Sequence, residues 1–232
     1  MSPTRRIRGG FSLVALGLVA SCAPACLPRP AGPDPVAVST TMAQRVGMLT
    51  VSYDGAGPSV PRIGIVGDST LSSIRWANAY APLRRWNYTY DAESCRRTIT
   101  TSCAGPDGYA PDNVLAAMRR LSGRLGRVLV VMNGANDPAS RFGEGIDAVV
   151  AEARAQGIGS VVWLTVHASP DKNAVLGQRA EQHGGYLRIA DWDRYSAAHP
   201  EWATADGLHI SSAGAPVLAQ FLADQVAPIV GG

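Results

Sequence analysis

The 232 residues are 46% hydrophobic and 17% charged, which fits one globular domain of about 180 to 200 residues once an export signal is set aside. The formal net charge of +3 rests on Arg5, Arg6 and Arg8; beyond residue 21 the chain carries 18 basic and 18 acidic residues. That neutral remainder holds no Lys/Arg run, which argues against nucleic acid as a partner.

Residues 1–21 read as a signal peptide: a basic start, an apolar run from Phe11 to Ala20, then small residues. The run is too short to cross a bilayer as a helix, which takes about 20 apolar residues. Val19-Ala20-Ser21-Cys22 resembles a bacterial lipobox. Cys22 is therefore expected to carry a lipid that anchors the mature protein to the membrane at the bacterial cell surface. The competing reading is ordinary cleavage after Ala23-Pro24-Ala25 and release as a secreted protein. Residues 27–35 hold four prolines and form an extended tether. Residues 22–60 are assigned to the lipidated N-terminus and tether, with 50–53 a candidate short strand, and 61–232 to the domain.

Within the domain, apolar runs predict strands over 62–67, 128–132 and 160–166, and alternation predicts two more over 86–90 and 186–190. Spacings of three and four predict helices over 70–80, 111–122, 146–156, 174–183 and 213–226. Strands alternating with helices, with continuously apolar central strands, imply a three-layer α/β/α sandwich. Its sheet is expected to have five mostly parallel strands, flavodoxin-like in outline. Cys95 and Cys103 lie eight apart in a polar segment, and an exported protein meets oxidising conditions, so a local disulfide is expected. No metal site is expected there, because no further Cys or His lies nearby.

Polar residues collect at the strand ends. Gly67-Asp68-Ser69-Thr70 joins the first domain strand to a helix, where a serine sits at the carboxyl edge of the sheet beside free helix N–H groups. Asp68, Ser69 or Thr70 equally reads as a helix cap. Asn133-Gly134-Ala135-Asn136-Asp137 follows the 128–132 strand and brings an amide, Asn136, suited to an oxyanion. Asp206-Gly207-Leu208-His209 places an aspartate three residues before a histidine, close enough to orient its ring.

Together, Gly67-Asp68-Ser69, Gly134-x-Asn136-Asp137 and Asp206-x-x-His209 resemble the SGNH hydrolases, or GDSL esterase/lipase superfamily, over about residues 61–228. The resemblance implies Ser69 as nucleophile, His209 as general base and then acid, and Asp206 as its orienting partner. It implies oxyanion donors at the Ser69 N–H and Asn136, with no cofactor. The order Ser, Asp, His also fits α/β-hydrolases, but Gly67 to Leu71 lacks the second glycine of their elbow. The family's second block supplies a glycine N–H from the loop after the second strand. This chain has no glycine there before Gly105. Either Gly105 or Gly108 folds back, or a backbone N–H near Ser94, from Cys95 or Arg96, serves; the disulfide, which would stiffen that loop, favours the second. The run Ser94-Cys95-Arg96-Arg97 resembles exported actinobacterial members.

The expected function is a secreted serine esterase hydrolysing carboxylic esters through a Ser69 acyl-enzyme. Its expected substrates are small-molecule esters or acylated cell-surface glycans or lipids. An acyltransferase moving the acyl group to a carbohydrate hydroxyl is the first alternative, and a non-catalytic surface binding lipoprotein the second. His167 reads either as pocket lining or as an incidental loop residue, and His183 and His199 as surface residues. The Arg96 and Arg97 side chains read either as binding an anionic group of the substrate or, as for most arginines, as solvated loop charges. Trp192, Tyr195 and Trp202 read either as core or as a sugar-stacking face.

Overall fold

The computed structural model describes residues 50–105 and 108–231; the signal peptide, Cys22 and the tether through residue 49 lie outside them. Six strands form one sheet: β1 (Thr50–Tyr53), β2 (Arg62–Gly67), β3 (Asn87–Ala92), β4 (Val128–Met132), β5 (Ser160–Leu164) and β6 (Leu187–Ala190). Their order is β1-β3-β2-β4-β5-β6, parallel throughout except for the antiparallel pairing of β1 with β3. The expected parallel five-stranded sheet is present, and β1 is a sixth strand. It places part of the sheet inside the segment assigned to the tether. Tyr53 stacks on Tyr88 at 5.3 Å, and the Thr50 hydroxyl donates to Asp91 at 2.6 Å, so β1 covers what would otherwise be an open edge at β3.

The helices are α1 (Ser69–Trp76), α2 (Val114–Arg120), α3 (Ala139–Ala155), α4 (Pro170–His183), a short α5 (Trp192–Ser196) and α6 (Gly214–Val230). The strands alternate their side chains between two cores. Ile63, Ile65, Val128, Val130 and Met132 face α1 and α6, while Val66, Leu129 and Val131 face α2, α3 and α4. That division makes the three layers.

Several helix bounds differ from the pattern, α4 starting four residues earlier and α6 ending four later among them, and three of the differences have a clear local reason. α1 stops at Trp76, and Asn78 takes a left-handed turn with φ 50° that ends the run. α2 starts only at Val114, because Asn113 caps it by accepting from the Ala116 N–H at 2.9 Å. α3 starts two turns earlier than its apolar spacing shows, through Gly143 and Gly145. A Cβ on Gly145 would lie 2.8 Å from Thr98 Cγ2, so close approach to the 95–103 loop requires the glycine that hides the helix in the sequence.

Chain direction reverses at β2. From β2 the chain moves to β3 on one side, then returns to β4 on the other, leaving a crevice at the carboxyl end of β2. Open α/β sheets bind ligands at such a switch point. Ser69 stands directly above it.

Candidate active site

The β2–α1 turn is held from both sides. The Asp68 N–H donates to the Met132 carbonyl at 3.0 Å, tying the turn to the end of β4. A Cβ on Gly67 would lie 2.3 Å from that same carbonyl, so only glycine allows the approach. The Asp68 carboxylate caps α1, accepting from the Thr70 N–H at 2.9 Å and the Thr70 hydroxyl at 2.6 Å. Burial pushes the Asp68 pKa up, and these hydrogen bonds from Thr70 oppose the shift. Capping is thus the work of Asp68, which leaves the Ser69 hydroxyl free to face elsewhere.

It faces His209. His209 Nε2 lies 2.9 Å from Ser69 Oγ, and His209 Nδ1 lies 2.6 Å from Asp206 Oδ2, so the three side chains form one hydrogen-bonded line. Asp206 Oδ1 also accepts from the Thr204 hydroxyl at 2.7 Å, the Leu208 N–H at 2.9 Å and the His209 N–H at 3.0 Å. The bond to the His209 ring, then those to Thr204 and the two backbone groups, hold the Asp206 carboxyl well below the usual carboxylate range although it is exposed. An ionised Asp206 leaves Nδ1 carrying a proton and Nε2 able to accept one. The loop is closed beneath the pair: the Thr204 N–H donates to the His209 carbonyl at 2.8 Å and the Ser211 N–H to the Trp202 carbonyl at 2.8 Å.

Asn136 comes to the same groove from the β4–α3 turn. This groove, of about 620 Å³, is open to solvent and lined by Ser69, Trp76, Ser94, Cys95, Ala104, Gly105, Asn136, Thr204, Asp206 and His209. Gly134, at φ 136°, makes the Asn136 turn, and a Cβ there would lie 2.8 Å from the Phe142 ring and 2.9 Å from Val166. One Asn136 Nδ2 proton goes to the Arg96 carbonyl at 3.2 Å, which leaves the second for a ligand.

The 95–103 loop forms the facing wall, and Cys95 and Cys103 are joined in the expected disulfide with Cα atoms 5.2 Å apart. Of the candidate backbone donors, the Gly105 N–H is taken by the Tyr109 carbonyl at 2.8 Å and the Arg96 N–H by the Glu93 carbonyl at 3.4 Å. Among the described residues the Cys95 N–H has no such acceptor, and Cys95 lines the groove. Arg96 does not line the groove.

The Arg96 side chain overturns its reading as a solvated charge. It is fully buried, 2.7 Å from Asp91 Oδ1 and 2.9 Å from Asp112 Oδ1, and its guanidinium also donates to the carbonyls of Gly67, Asp91 and Asp112. The Arg97 guanidinium is likewise engaged, donating to the Asn136 carbonyl at 2.9 Å and the Thr101 carbonyl at 3.2 Å.

His167 does not line the groove, and its Nδ1 lies 3.2 Å from Asp193 and 3.3 Å from Ser196. His183 pairs with Asp147 at 2.8 Å and His199 with Glu201 at 2.9 Å. Trp192 is buried against Phe221 and Trp202, while Tyr195 stays half-exposed on the same stack; none of Trp192, Tyr195 and Trp202 lines the groove. The exposed aromatic on the groove is Trp76, which lies inside the helix predicted over 70–80 and carries no sequence signal of a site. Among the described residues, no cluster of three or more His, Cys, Asp or Glu side chains is placed to hold a metal ion, and no helix is long and apolar enough to cross a membrane.

A three-layer α/β/α fold with a serine, histidine and aspartate linked at its switch point is the arrangement of a serine-hydrolase scaffold. No family model matches the chain, and no curated protein matches it. Solved structures do. One aligns over 75% of this chain and 100% of its own, with 16% identity and a TM-score of 0.56. Another, a protein from Slackia heliotrinireducens assigned to the SGNH hydrolases, aligns over 72% of this chain and 98% of its own, with 18% identity and a TM-score of 0.54. A carbohydrate esterase of family 3 from Talaromyces cellulolyticus aligns over 73% and 98% with 14% identity, but its TM-score of 0.46 is too low to weigh. The chain has the fold of the SGNH hydrolases.

Proposed function

We propose that the protein is an exported SGNH-type serine esterase that hydrolyses carboxylic esters through a Ser69 acyl-enzyme. The observation that carries the reading is the continuous line from Ser69 Oγ through His209 to Asp206, at 2.9 and 2.6 Å. Ser69 Oγ attacks the ester carbonyl carbon as His209 Nε2 takes the hydroxyl proton, and the carbonyl π electrons move onto oxygen. The oxyanion meets the Ser69 N–H at the start of α1, the second Asn136 proton and the Cys95 N–H. His209 then passes its proton to the leaving alcohol, and the C–O bond of the ester breaks. Water, deprotonated by His209, attacks the acyl-enzyme and returns Ser69 and the carboxylic acid.

The groove favours hydrolysis over acyl transfer. It is open, and the His209 side chain is 35% exposed, so water reaches the acyl-enzyme, whereas a transferase has to exclude it. The same openness suits an ester carried on a small molecule or a glycan chain better than a buried acyl tail. A fluorophosphonate should label Ser69 and no other residue, as read by peptide mass spectrometry; an unlabelled protein would instead support the non-catalytic binding reading. Asn136→Ala should lower kcat on 4-nitrophenyl acetate by about 10² to 10³, the usual effect of one oxyanion donor. A loss confined to KM would remove Asn136 from that role.

Export and anchoring belong to the same proposal and rest on the basic, apolar and Cys22 pattern at the N-terminus. Cys22→Ser should move the protein from the membrane fraction to the medium, and a mature peptide beginning at Cys26 without lipid would refute the anchor.

A further inference from the structure

The Asn136 turn is gripped by two cations, and the proposed mechanism has used neither of them. Lys172, in the first turn of α4, donates its Nζ protons to the Gly134 carbonyl at 2.7 Å and the Ala135 carbonyl at 3.0 Å. Arg97, from the disulfide loop, donates to the next carbonyl, that of Asn136, at 2.9 Å. Three consecutive carbonyls are thus held by two cations, one from α4 and one from the disulfide loop. Lys172 is the only lysine in the chain. A compact ammonium with three rotatable donors can bridge two adjacent carbonyls, whereas a planar guanidinium presents its donors in a fixed fork.

We propose that Lys172 and Arg97 are positioning residues for the oxyanion hole, holding the 134–136 carbonyls so that the Asn136 amide stays aimed into the groove. The proposal rests on the esterase reading above. The turn has one hydrogen bond of its own, from the Asp137 N–H to the Gly134 carbonyl at 3.1 Å, and placing one amide within range of a transient oxyanion calls for further restraint. Bonds to its carbonyls supply that restraint, and charged donors make the stronger kind.

Asp137 is the counter-charge within the same cluster. Its carboxylate accepts from the Thr98 N–H and hydroxyl, at 2.9 Å each, and from Asn133 Nδ2 at 3.0 Å, and it feels the charges of both Lys172 and Arg97. Their action is therefore expected through geometry. Arg97 also couples the two walls: it stands two residues after Cys95, whose N–H is the other candidate donor, and reaches across to the Asn136 turn. One displacement would misplace both donors.

The test compares wild type, Ser69→Ala, Lys172→Met, Lys172→Arg and Arg97→Met on 4-nitrophenyl acetate, with a thermal melt of each. Lys172→Met and Arg97→Met should each lower kcat about ten-fold, with KM within about two-fold and the melting temperature unchanged. Lys172→Arg should recover only part of the lost kcat, because it restores a charged donor but not one that bridges both adjacent carbonyls. Unchanged kcat in both methionine variants, or a loss seen only in KM, would overturn the proposal while wild-type turnover that depends on Ser69 leaves the esterase reading standing. No turnover by the wild type would end both.

Discussion

Ser69→Ala is expected to lower ester hydrolysis by about 10⁴-fold or more and to abolish fluorophosphonate labelling, while the protein melts at an unchanged temperature. Removal of a nucleophile that works as a unit with its base costs nearly as much as removing the whole unit. What rate remains would come from the oxyanion donors and binding alone. Stability should hold because Ser69 caps nothing: the α1 cap is the Asp68 carboxylate, and the Ser69 hydroxyl is bonded to His209. A kinetic assay on 4-nitrophenyl acetate and a thermal melt of the same preparation check both halves. Activity within a few-fold of wild type would remove Ser69 from the mechanism, and a collapse in stability would assign the serine to the fold.

The second large effect is on the fold, at Arg96. Arg96→Met should cost about 3 to 5 kcal/mol, because it leaves the nearly buried Asp91 carboxylate short of its closest cation and removes the guanidinium donors to the carbonyls of Gly67, Asp91 and Asp112. In a domain of this size that is a fall of roughly 10 °C in melting temperature. Gly67 immediately precedes Asp68 and Ser69, so the variant should also lose activity before it loses structure.

The same cluster sets a limit in acid. Burial would raise the Asp91 pKa, but the charge of Arg96, the hydrogen bond from Thr50 and the charge of Arg120 outweigh it and hold the group at about 2. A carboxylate with a folded pKa below its unfolded value of 3.8 stabilises the native state fully above that value. The stabilisation, about 2 kcal/mol for a shift of this size, is lost as pH falls from about 4 through about 2. Urea unfolding of wild type at pH 6 and pH 2.5 should show that loss, and Asp91→Asn should flatten this part of the pH dependence. An equal fall in the variant would place the acid sensitivity elsewhere.

Much of the scaffold and of the candidate site can be read along the chain because its signals are short. Buried strands such as 128–132 are runs of five apolar residues, and Asp206 reaches His209 across three residues. The turn glycines mark themselves by position, Gly67 and Gly134 each following an apolar run, although what a Cβ at Gly67 would strike, the Met132 carbonyl, is a tertiary neighbour. Local sterics, periodicity and capping act within a few residues, so a pattern of a few residues reports them.

The features that could not be read depend on partners far along the chain. β1 reads as a candidate short strand at 50–53, but its place in the sheet comes from Asp91 and Tyr88, over thirty residues on. Arg96 reads as a surface charge because nothing adjacent shows that Asp91 and Asp112 will meet it once water is excluded. Lys172 and Arg97 reach the Asn136 turn across separations of 38 and 39 residues. The amino-acid sequence by itself determined the layers, the turns and the identity of Ser69, Asp206, His209 and Asn136 as candidates, since each sits on a locally specified strand end. Only the tertiary structure decided that His209 stands 2.9 Å from a serine 140 residues away, which charges are buried, and which candidate backbone N–H groups already have acceptors. Burial and hydrogen-bond satisfaction are properties of the assembled chain, because each depends on what else has displaced the water.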